Sequence, residues 1–320
     1  MTRTDVITSS RDLSSPKSIF ILHLDIVGGC QLRCVGCPNS TLLPKVKQVP
    51  LALLDKILAH IDVDHVRTLR LFNYGEPLLH EQFSEVLKRL TRQRWRAEHV
   101  EISTNAQHVY WEDFELALQQ RVLTKLVVSC DGDGSPEAYE RLRPPGKWAK
   151  FIDFLKRTKS LRDLWHPELE LATRSVVETQ SDMRGWRNVV EPLGWTAEFR
   201  TWKALPDSLE NRTGRGIQPR EGICTFVAPS DRFGHAYYGE LNQLYVDWDG
   251  TMVPCCVHPR AGELGNLAQE RYSELFRGPD RRAFLAQMES DRGAMAICGK
   301  CEYGPPEDPG PSFDDNLPRG

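Results

Sequence analysis

The sequence predicts an α/β fold in which parallel strands alternate with helices. Between residues 19 and 202, short apolar runs rich in β-branched residues alternate with amphipathic stretches of helical period. Strands that are joined by crossover helices pair in parallel, and the regular alternation therefore predicts parallel βα units. Periodicity alone leaves three architectures open, which are an open doubly wound sheet, a complete barrel and a partial barrel.

Each element has a recognisable local pattern. Residues 1–18 are rich in Ser, Thr and charged residues and are predicted to be a flexible lead-in. Strands are predicted where β-prone apolar residues cluster, at 19–27, 68–73, 99–104, 124–129, 168–177 and 197–202. Helices are predicted where apolar residues recur every three or four positions, at 51–61, 81–92, 111–119, 148–159 and 182–192.

The pattern changes after the sixth strand. Residues 204–221 contain Pro, Gly, Asn and Arg with few apolar residues, which is typical of a linker. The dipeptide Asp249-Gly250 between two β-prone runs predicts a tight β-hairpin over 244–254, and short helices are predicted at 269–276 and 280–288. We therefore expect a main domain over 19–203, a smaller domain over 204–302, and a disordered Pro-rich tail over 303–320.

The overall composition excludes several classes of protein. The 320 residues include 41 basic and 44 acidic side chains, so the net charge of -3 argues against a polybasic nucleic-acid binder. No apolar run approaches the roughly 20 residues of a membrane span, and the charged residues near the start argue against a signal peptide. We therefore expect a cytoplasmic protein that binds neither nucleic acid nor membranes.

Nine cysteines, an odd number, are grouped along the chain. One set lies just after the first predicted strand, five cysteines lie in the last third, and Cys130 stands alone. Such grouping in a reducing compartment favours metal ligation by thiolates over disulfides.

The first set has the spacing C-x3-C-x2-C and consists of Cys30, Cys34 and Cys37. A loop after a strand projects its side chains over the carboxyl end of a parallel sheet. Three thiolates leave one iron of a 4Fe–4S cluster open to a cofactor or substrate. The alternatives are a structural zinc site with a distant fourth ligand such as His23, and a reduced loop without metal.

The chain resembles the radical S-adenosylmethionine (radical SAM) superfamily. The three-cysteine spacing is the hallmark of that family, and residues 74–77, Tyr-Gly-Glu-Pro, resemble its GGEP motif with Tyr in place of the first Gly. Residues 103–106 resemble its S/T-N-G motif, residues 129–132 its S-hydrophobic-D-G motif, and residues 139–143 an element that ends in arginine.

The resemblance implies a partial (β/α)6 barrel that binds a 4Fe–4S cluster and S-adenosylmethionine. Glu76 would bind the ammonium group of S-adenosylmethionine, and Asn105 and Ser129 would line the cofactor pocket. Arg143 is a candidate for cofactor binding or for a structural role, and the alternative for Arg143 is a solvated helix arginine.

A second set of cysteines resembles the auxiliary-cluster domain called SPASM, or its shortened form called twitch. Gly250-x4-Cys255, Gly265-Asn266 and Cys298-x2-Cys301 carry the resemblance. It implies a second 4Fe–4S cluster with four protein ligands, Cys224, Cys255, Cys298 and Cys301. The long interval between Cys224 and Gly250 implies an insertion near 233–241, and a zinc site on the same four cysteines is the alternative.

Two cysteines remain outside both sets. Cys130 lies inside a buried strand pattern, where free cysteine is a good small core residue. Cys256 follows a cluster ligand, and successive side chains of an extended segment point to opposite sides. If Cys255 faces the cluster, Cys256 is therefore able to face the mouth of the barrel as a catalytic thiol. The alternative is a second cysteine that has no role in the reaction.

The resemblance implies that a 5'-deoxyadenosyl radical removes a hydrogen atom from the substrate. Family members with this domain include the 2-deoxy-scyllo-inosamine dehydrogenase type and the neomycin C epimerase type, in which a cysteine returns a hydrogen atom. Cys256 favours an epimerase of an amino sugar or aminocyclitol in antibiotic biosynthesis, with a two-electron alcohol dehydrogenase as the alternative. A flavodoxin or ferredoxin is the expected electron donor. A peptide-modifying enzyme is a third reading, disfavoured because only the short lead-in precedes the first strand.

Overall fold

The computed structural model describes residues 17–201, 205–206, 218–222, 224, 226–227 and 243–304. Four expectations therefore lie wholly or mostly outside the described residues. They concern the lead-in, the linker over 204–221, the insertion near 233–241 and the tail over 303–320.

The centre of the fold is one eight-stranded sheet, with a separate two-stranded sheet beside it. In chain order the strands are β1 (Ser18–Leu24), β2 (Val27–Gly28), β3 (Lys47–Gln48), β4 (His65–Arg70), β5 (Arg96–Thr104), β6 (Lys125–Asp131), β7 (Glu170–Val177), β8 (Thr196–Thr201), β9 (Gln243–Val246) and β10 (Met252–Val253). The order across the large sheet is β10-β9-β1-β4-β5-β6-β7-β8. Because β10 and β8 are its two edges, the sheet is open, as in a partial barrel.

The helices lie between the strands of the large sheet or follow its hairpin. They are α1 (Asn39–Leu42), α2 (Leu51–Ala59), α3 (Phe83–Leu90), α4 (Trp111–Gln119), α5 (Pro136–Leu142), α6 (Trp148–Trp165), α7 (Gln180–Val190), α8 (Tyr272–Phe276) and α9 (Pro279–Asp291). None of the helices in the described ranges has both the length and the apolar composition that a bilayer span requires.

The α/β fold with a partial barrel is confirmed, because β1 and β4 to β8 form six parallel neighbours. The strand β1 is buried on both faces, as its nearly continuous apolar sequence predicts. On the outside, α5, α6 and α7 pack through a group of aromatic rings, with Tyr139 and Phe151 at a centroid distance of 5.0 Å and Trp148 and Trp186 at 5.8 Å.

The predicted hairpin is present, but it belongs to the barrel sheet. The strand β10 pairs with β9 in antiparallel register, and Gly250 in the turn has a positive φ of 88°. The other edge of β9 pairs in parallel with β1, where His23 lies opposite Tyr245. The C-terminal unit therefore extends the barrel sheet on the side of β1 that β4 does not occupy.

Candidate functional site

A cavity of about 670 Å³ lies at the carboxyl ends of the parallel strands. Its wall contains seven of the residues that the sequence singled out: Cys30, Cys34, Cys37, Glu76, Asn105, Ser129 and Arg143. These residues come from four loops and one strand end, and the fold brings all of them to one site.

The loop that carries the three cysteines is held by hydrogen bonds to the end of α5 and by one bond within the loop. The backbone N–H groups of Arg33 and Val35 donate to the carbonyl groups of Pro144 and Leu142, at 2.6 and 2.8 Å. The Arg33 guanidinium donates to the carbonyl of Cys30 at 2.7 Å. The segment after α5 therefore supports the loop, although the sequence motifs of the two are more than 100 residues apart.

The chemistry around the thiols fits an iron–sulfur cluster. Burial, with a smaller contribution from the Glu76 carboxylate, raises the pKa of the Cys30 thiol to about 12, and burial also raises the pKa of Cys37. Bound iron would stabilise the thiolates that burial alone disfavours. The amide nitrogen of Asn105 lies 3.4 Å from the Cys30 sulfur and is able to donate to a ligated thiolate.

The zinc alternative for this loop requires a fourth ligand, and His23 does not provide one. Its Nδ1 lies 3.1 Å from the carbonyl of Phe72, and its ring stacks on Tyr245 inside the barrel. In the described ranges, no three His, Cys, Asp or Glu side chains converge as the ligands of a single metal ion do.

Glu76 is a buried carboxylate on the cavity wall, with 3% of its surface exposed. It accepts hydrogen bonds from the hydroxyl of Thr104 and the backbone N–H of Asn105, both at 2.6 Å, and from the N–H of Leu78 at 3.2 Å. Burial raises its pKa to about 7 against these hydrogen bonds. A cationic ligand in the cavity would therefore stabilise its charged form.

The loop that presents Glu76 is organised by Asp25, which directly follows β1. The Asp25 carboxylate accepts hydrogen bonds from the backbone N–H groups of Asn73, Tyr74 and Gly75 at 2.5, 2.8 and 3.3 Å. Sequence reasoning assigned no role to Asp25. An aspartate directly after an apolar strand was the available signal for this role.

Gly75 is required by a close backbone approach. A Cβ atom at this position would lie 1.5 Å from the carbonyl oxygen of Val27. Gly75→Ala is therefore expected to displace the loop, to lower the free energy of unfolding by about 1–3 kcal/mol and to weaken S-adenosylmethionine binding. Denaturant unfolding and cofactor titration of the iron-loaded variant measure both effects.

Gly293→Ala is the matched control, because the nearest atom to a Cβ there lies 3.8 Å away. Equal stability and equal cofactor affinity in the two variants would contradict the role assigned to Gly75.

Arg143 is buried, with 8% of its surface exposed, so it is not the solvated helix arginine of the alternative reading. Its guanidinium donates to Asp131 at 2.5 Å. Ser129 lies on the same strand as Asp131, and its hydroxyl is 3.0 Å from that of Ser103. Both Arg143 and Ser129 are therefore held on the cavity wall by groups from β5 and β6.

The second cysteine set surrounds a small cavity of its own. Cys224, Cys255, Cys298 and Cys301 line it together with apolar residues such as Phe226 and Met288. The buried Arg292 donates to the carbonyl of Cys298 at 3.0 Å and to that of Gly222 at 2.8 Å, which ties the last two cysteines to the segment before Cys224. Burial raises the pKa of Cys224 and that of Cys298. The four thiols in an apolar shell fit a second cluster.

The two cysteines outside both sets differ in environment. Cys130 is fully buried in β6, with its sulfur 3.0 Å from the Ser175 hydroxyl, in keeping with a core role. Cys256 is half-buried and lies beside the Tyr245 phenol. It is not among the described residues that line either cavity, and its proposed role in the reaction stays a prediction.

Tyr74, which replaces the first Gly of the family motif, connects the two sites. Its hydroxyl donates to the backbone carbonyl of Cys255 at 2.5 Å, while its backbone belongs to the loop that presents Glu76. Sequence reasoning noted the substitution but not this bond. It also missed Arg174 and Arg200, which line the cavity. The available signal for both was a charged residue inside a predicted strand.

Comparison with known proteins agrees with this geometry. Residues 24–163 match the model of the radical SAM superfamily, and residues 238–302 match SPASM, an iron–sulfur cluster-binding domain. No curated protein matches the chain significantly.

Several solved structures share the fold at low sequence identity. The structure of BtrN in complex with AdoMet and 2-DOIA is 14% identical, with a TM-score of 0.53 over 90% of this chain and 94% of that chain. Native anSMEcpe with bound AdoMet and Cp18Cys peptide is 13% identical, with a TM-score of 0.55 over 89% of each chain. The chain is thus a radical SAM enzyme with a SPASM domain, and its cofactors are S-adenosylmethionine and 4Fe–4S clusters.

Proposed function

We propose that this enzyme inverts one carbon of a small polyhydroxylated molecule. The substrate class is an amino sugar or aminocyclitol of the aminoglycoside type, and the reacting carbon bears a hydroxyl or an amino group. The observation that carries this proposal is the separation of two adjacent thiols. Cys255 lines the auxiliary cavity, whereas Cys256 lies beside Tyr245, a residue of the barrel sheet.

The cofactors have defined candidate ligands in the proposal. Cys30, Cys34 and Cys37 would hold the cluster of the barrel, and the four cysteines of the smaller cavity would hold one auxiliary cluster, as in a twitch domain. When bound and reduced, the first cluster supplies the electron that cleaves S-adenosylmethionine to methionine and the 5'-deoxyadenosyl radical, which abstracts hydrogen. Glu76 would bind the ammonium group of S-adenosylmethionine, and Asn105, Ser129 and Arg143 would border the same ligand.

Inversion requires a hydrogen atom from the opposite face of the carbon. After one C–H bond is broken, the Cys256 S–H bond breaks and a new C–H bond forms, which leaves a thiyl radical on Cys256. One electron from a reduced flavodoxin or ferredoxin and one proton from water then restore the thiol. The overall change leaves the mass of the substrate unaltered.

A two-electron dehydrogenase is the second candidate, and the bond between Tyr74 and Cys255 favours it. Tyr74 lines the cavity, and its hydroxyl contacts the backbone of a predicted ligand of the auxiliary cluster. This contact offers a short path for an electron that leaves a substrate radical. In that reaction the substrate loses two hydrogen atoms and Cys256 is not needed.

The proposed substrate class has two sources of support. BtrN, which shares the fold, was solved with 2-DOIA. The guanidinium of Arg200 on the cavity wall is a donor that suits the oxygen atoms of a polyol, whereas that of Arg174 already donates to Glu198 at 2.6 and 3.0 Å. A peptide is the third candidate substrate, because anSMEcpe, which shares the fold, was solved with a bound peptide.

Product mass and solvent deuterium test the proposal. Reduced enzyme and S-adenosylmethionine are incubated with aminoglycosides, aminocyclitols and peptides in deuterated water. We expect an isomer that gains one deuterium at the inverted carbon, because the Cys256 thiol exchanges with solvent before it donates. Cys256→Ala is expected to retain both clusters and to form 5'-deoxyadenosine but to lose the inverted product.

Cys130→Ala serves as the control, because Cys130 is a core cysteine outside both sets. An oxidised product two mass units lighter that Cys256→Ala still forms would replace the epimerase with the dehydrogenase. A product that forms only with peptides would overturn the small-molecule proposal.

A further inference from the structure

The chain segment after Cys37 exposes apolar side chains close to the three-cysteine loop. Leu43 is 58% exposed and Val46 is 44% exposed. Lys45 and Lys47 on either side of Val46 are also exposed. We refer to Leu43, Lys45, Val46 and Lys47 together as the 43–47 patch.

The backbone of Leu43 has a conformation that is unfavourable for a residue other than glycine. Its φ is +45°, in the left-handed region that suits glycine at the end of a helix. Its side chain projects from the surface, so burial does not offset the backbone strain. Non-glycine residues in strained conformations concentrate at functional sites.

The patch is connected at both ends to residues next to or within the three-cysteine loop. The helix α1 begins just after Cys37, and Ser40 donates to the carbonyl of Cys37 through its N–H at 3.0 Å and its hydroxyl at 2.6 Å. Leu43 is the C-cap of this helix. At the other end, the carbonyl of Lys45 packs on Gly29, where a Cβ would approach to 2.9 Å, and Gly29 directly precedes Cys30.

We propose that the 43–47 patch is the docking surface for an acidic one-electron carrier of the flavodoxin or ferredoxin class. An apolar centre with a charged rim is the usual composition of a protein interface. Residues 38–50 contain two lysines and no acidic residue, which complements a negatively charged partner. The carrier is oxidised by one electron, which enters the cluster. The inference rests on the proposed ligands Cys30, Cys34 and Cys37 but not on the fate of the substrate.

Two variants test the apolar and the basic parts of the patch separately. Leu43→Gly removes the side chain and suits the left-handed backbone, so it is expected to fold as well as the wild type. Lys45→Glu reverses one charge. Stopped-flow mixing with a reduced flavodoxin measures how fast the absorbance of the cluster bleaches. We expect each variant to slow this step about tenfold at low salt, with the Lys45→Glu effect shrinking as salt rises.

Dithionite is the reference reductant, because it needs no docking surface, and it is expected to reduce all variants at the wild-type rate. Leu164→Ala and Lys150→Glu on α6 are matched controls, since Leu164 is 64% exposed and Lys150 is also exposed. Unchanged flavodoxin rates would overturn the proposal, and so would an equal slowing with dithionite. A dimer that Leu43→Gly dissociates in sedimentation would also overturn it, because a second copy would then cover the patch. Product analysis with dithionite tests the proposed reaction independently.

Discussion

Replacing Cys30, Cys34 and Cys37 together by alanine is expected to abolish cleavage of S-adenosylmethionine. The three thiols line the same cavity as Glu76, and no electron reaches the cofactor without the cluster that they would hold. The wild type is expected to bind about eight irons per chain, and the triple variant about half of them. The auxiliary set should keep its iron, because its four cysteines line a separate cavity.

Iron analysis, electron paramagnetic resonance and 5'-deoxyadenosine release measure this result after anaerobic reconstitution. The reciprocal variant, with Cys298 and Cys301 replaced by alanine, should also hold about half of the iron but retain cofactor cleavage. Zinc in place of iron in the wild type, or full cleavage activity in the triple variant, would refute the assignment of the first site.

Glu76→Gln is expected to weaken S-adenosylmethionine binding by about 2 kcal/mol, or roughly thirtyfold. The carboxylate is buried on the cavity wall, and an ammonium group would be its charge-assisted partner. The side-chain amide of glutamine would also place a donor or a weaker acceptor opposite the backbone N–H of Asn105. Isothermal titration of the iron-loaded protein gives the affinity, and Glu112→Gln on the exposed surface of α4 is the control.

The raised pKa of Glu76 adds a pH dependence to this prediction. Because burial raises that pKa to about 7, the side chain is protonated below that pH and does not attract an ammonium group. Wild-type affinity should therefore fall as the pH decreases through 7, whereas Glu76→Gln should show no such step. In the absence of cofactor, the same shift stabilises the fold below the ordinary pKa of a glutamate, and this contribution is lost as the pH rises through 7. If the affinity of the wild type for S-adenosylmethionine did not change with pH, that result would contradict the charge pairing.

The barrel and most of its site were predictable from local patterns. Parallel strands place their carboxyl ends at one edge, so motifs that follow successive strands converge without further information. This is why Glu76, Asn105 and Ser129 lie on one wall. The helix α5 was not predicted as an element, because its seven residues are too short for a clear apolar period.

Contacts between distant parts of the chain were not predictable. Nothing local in the hairpin sequence indicates that β9 pairs with β1, because parallel partners carry no turn signal. The bond from Tyr74 to Cys255 depends on that pairing, since it joins the barrel to the C-terminal unit. Arg143 is a similar case, because only the fold shows that its guanidinium is buried against Asp131 and not solvated.

The position of β1 between β4 and β9 has a consequence for biosynthesis on the ribosome. The strand β1 can pair with β4 early in synthesis, but its other edge stays unpaired until β9, from the last third of the chain, has been synthesised. Until then, the nascent barrel exposes an unpaired apolar edge, which is a template for aggregation. The late closure of such a long loop is also entropically slow. The C-terminal unit thus completes the folding of the barrel, and slow synthesis at low temperature should favour recovery of native protein.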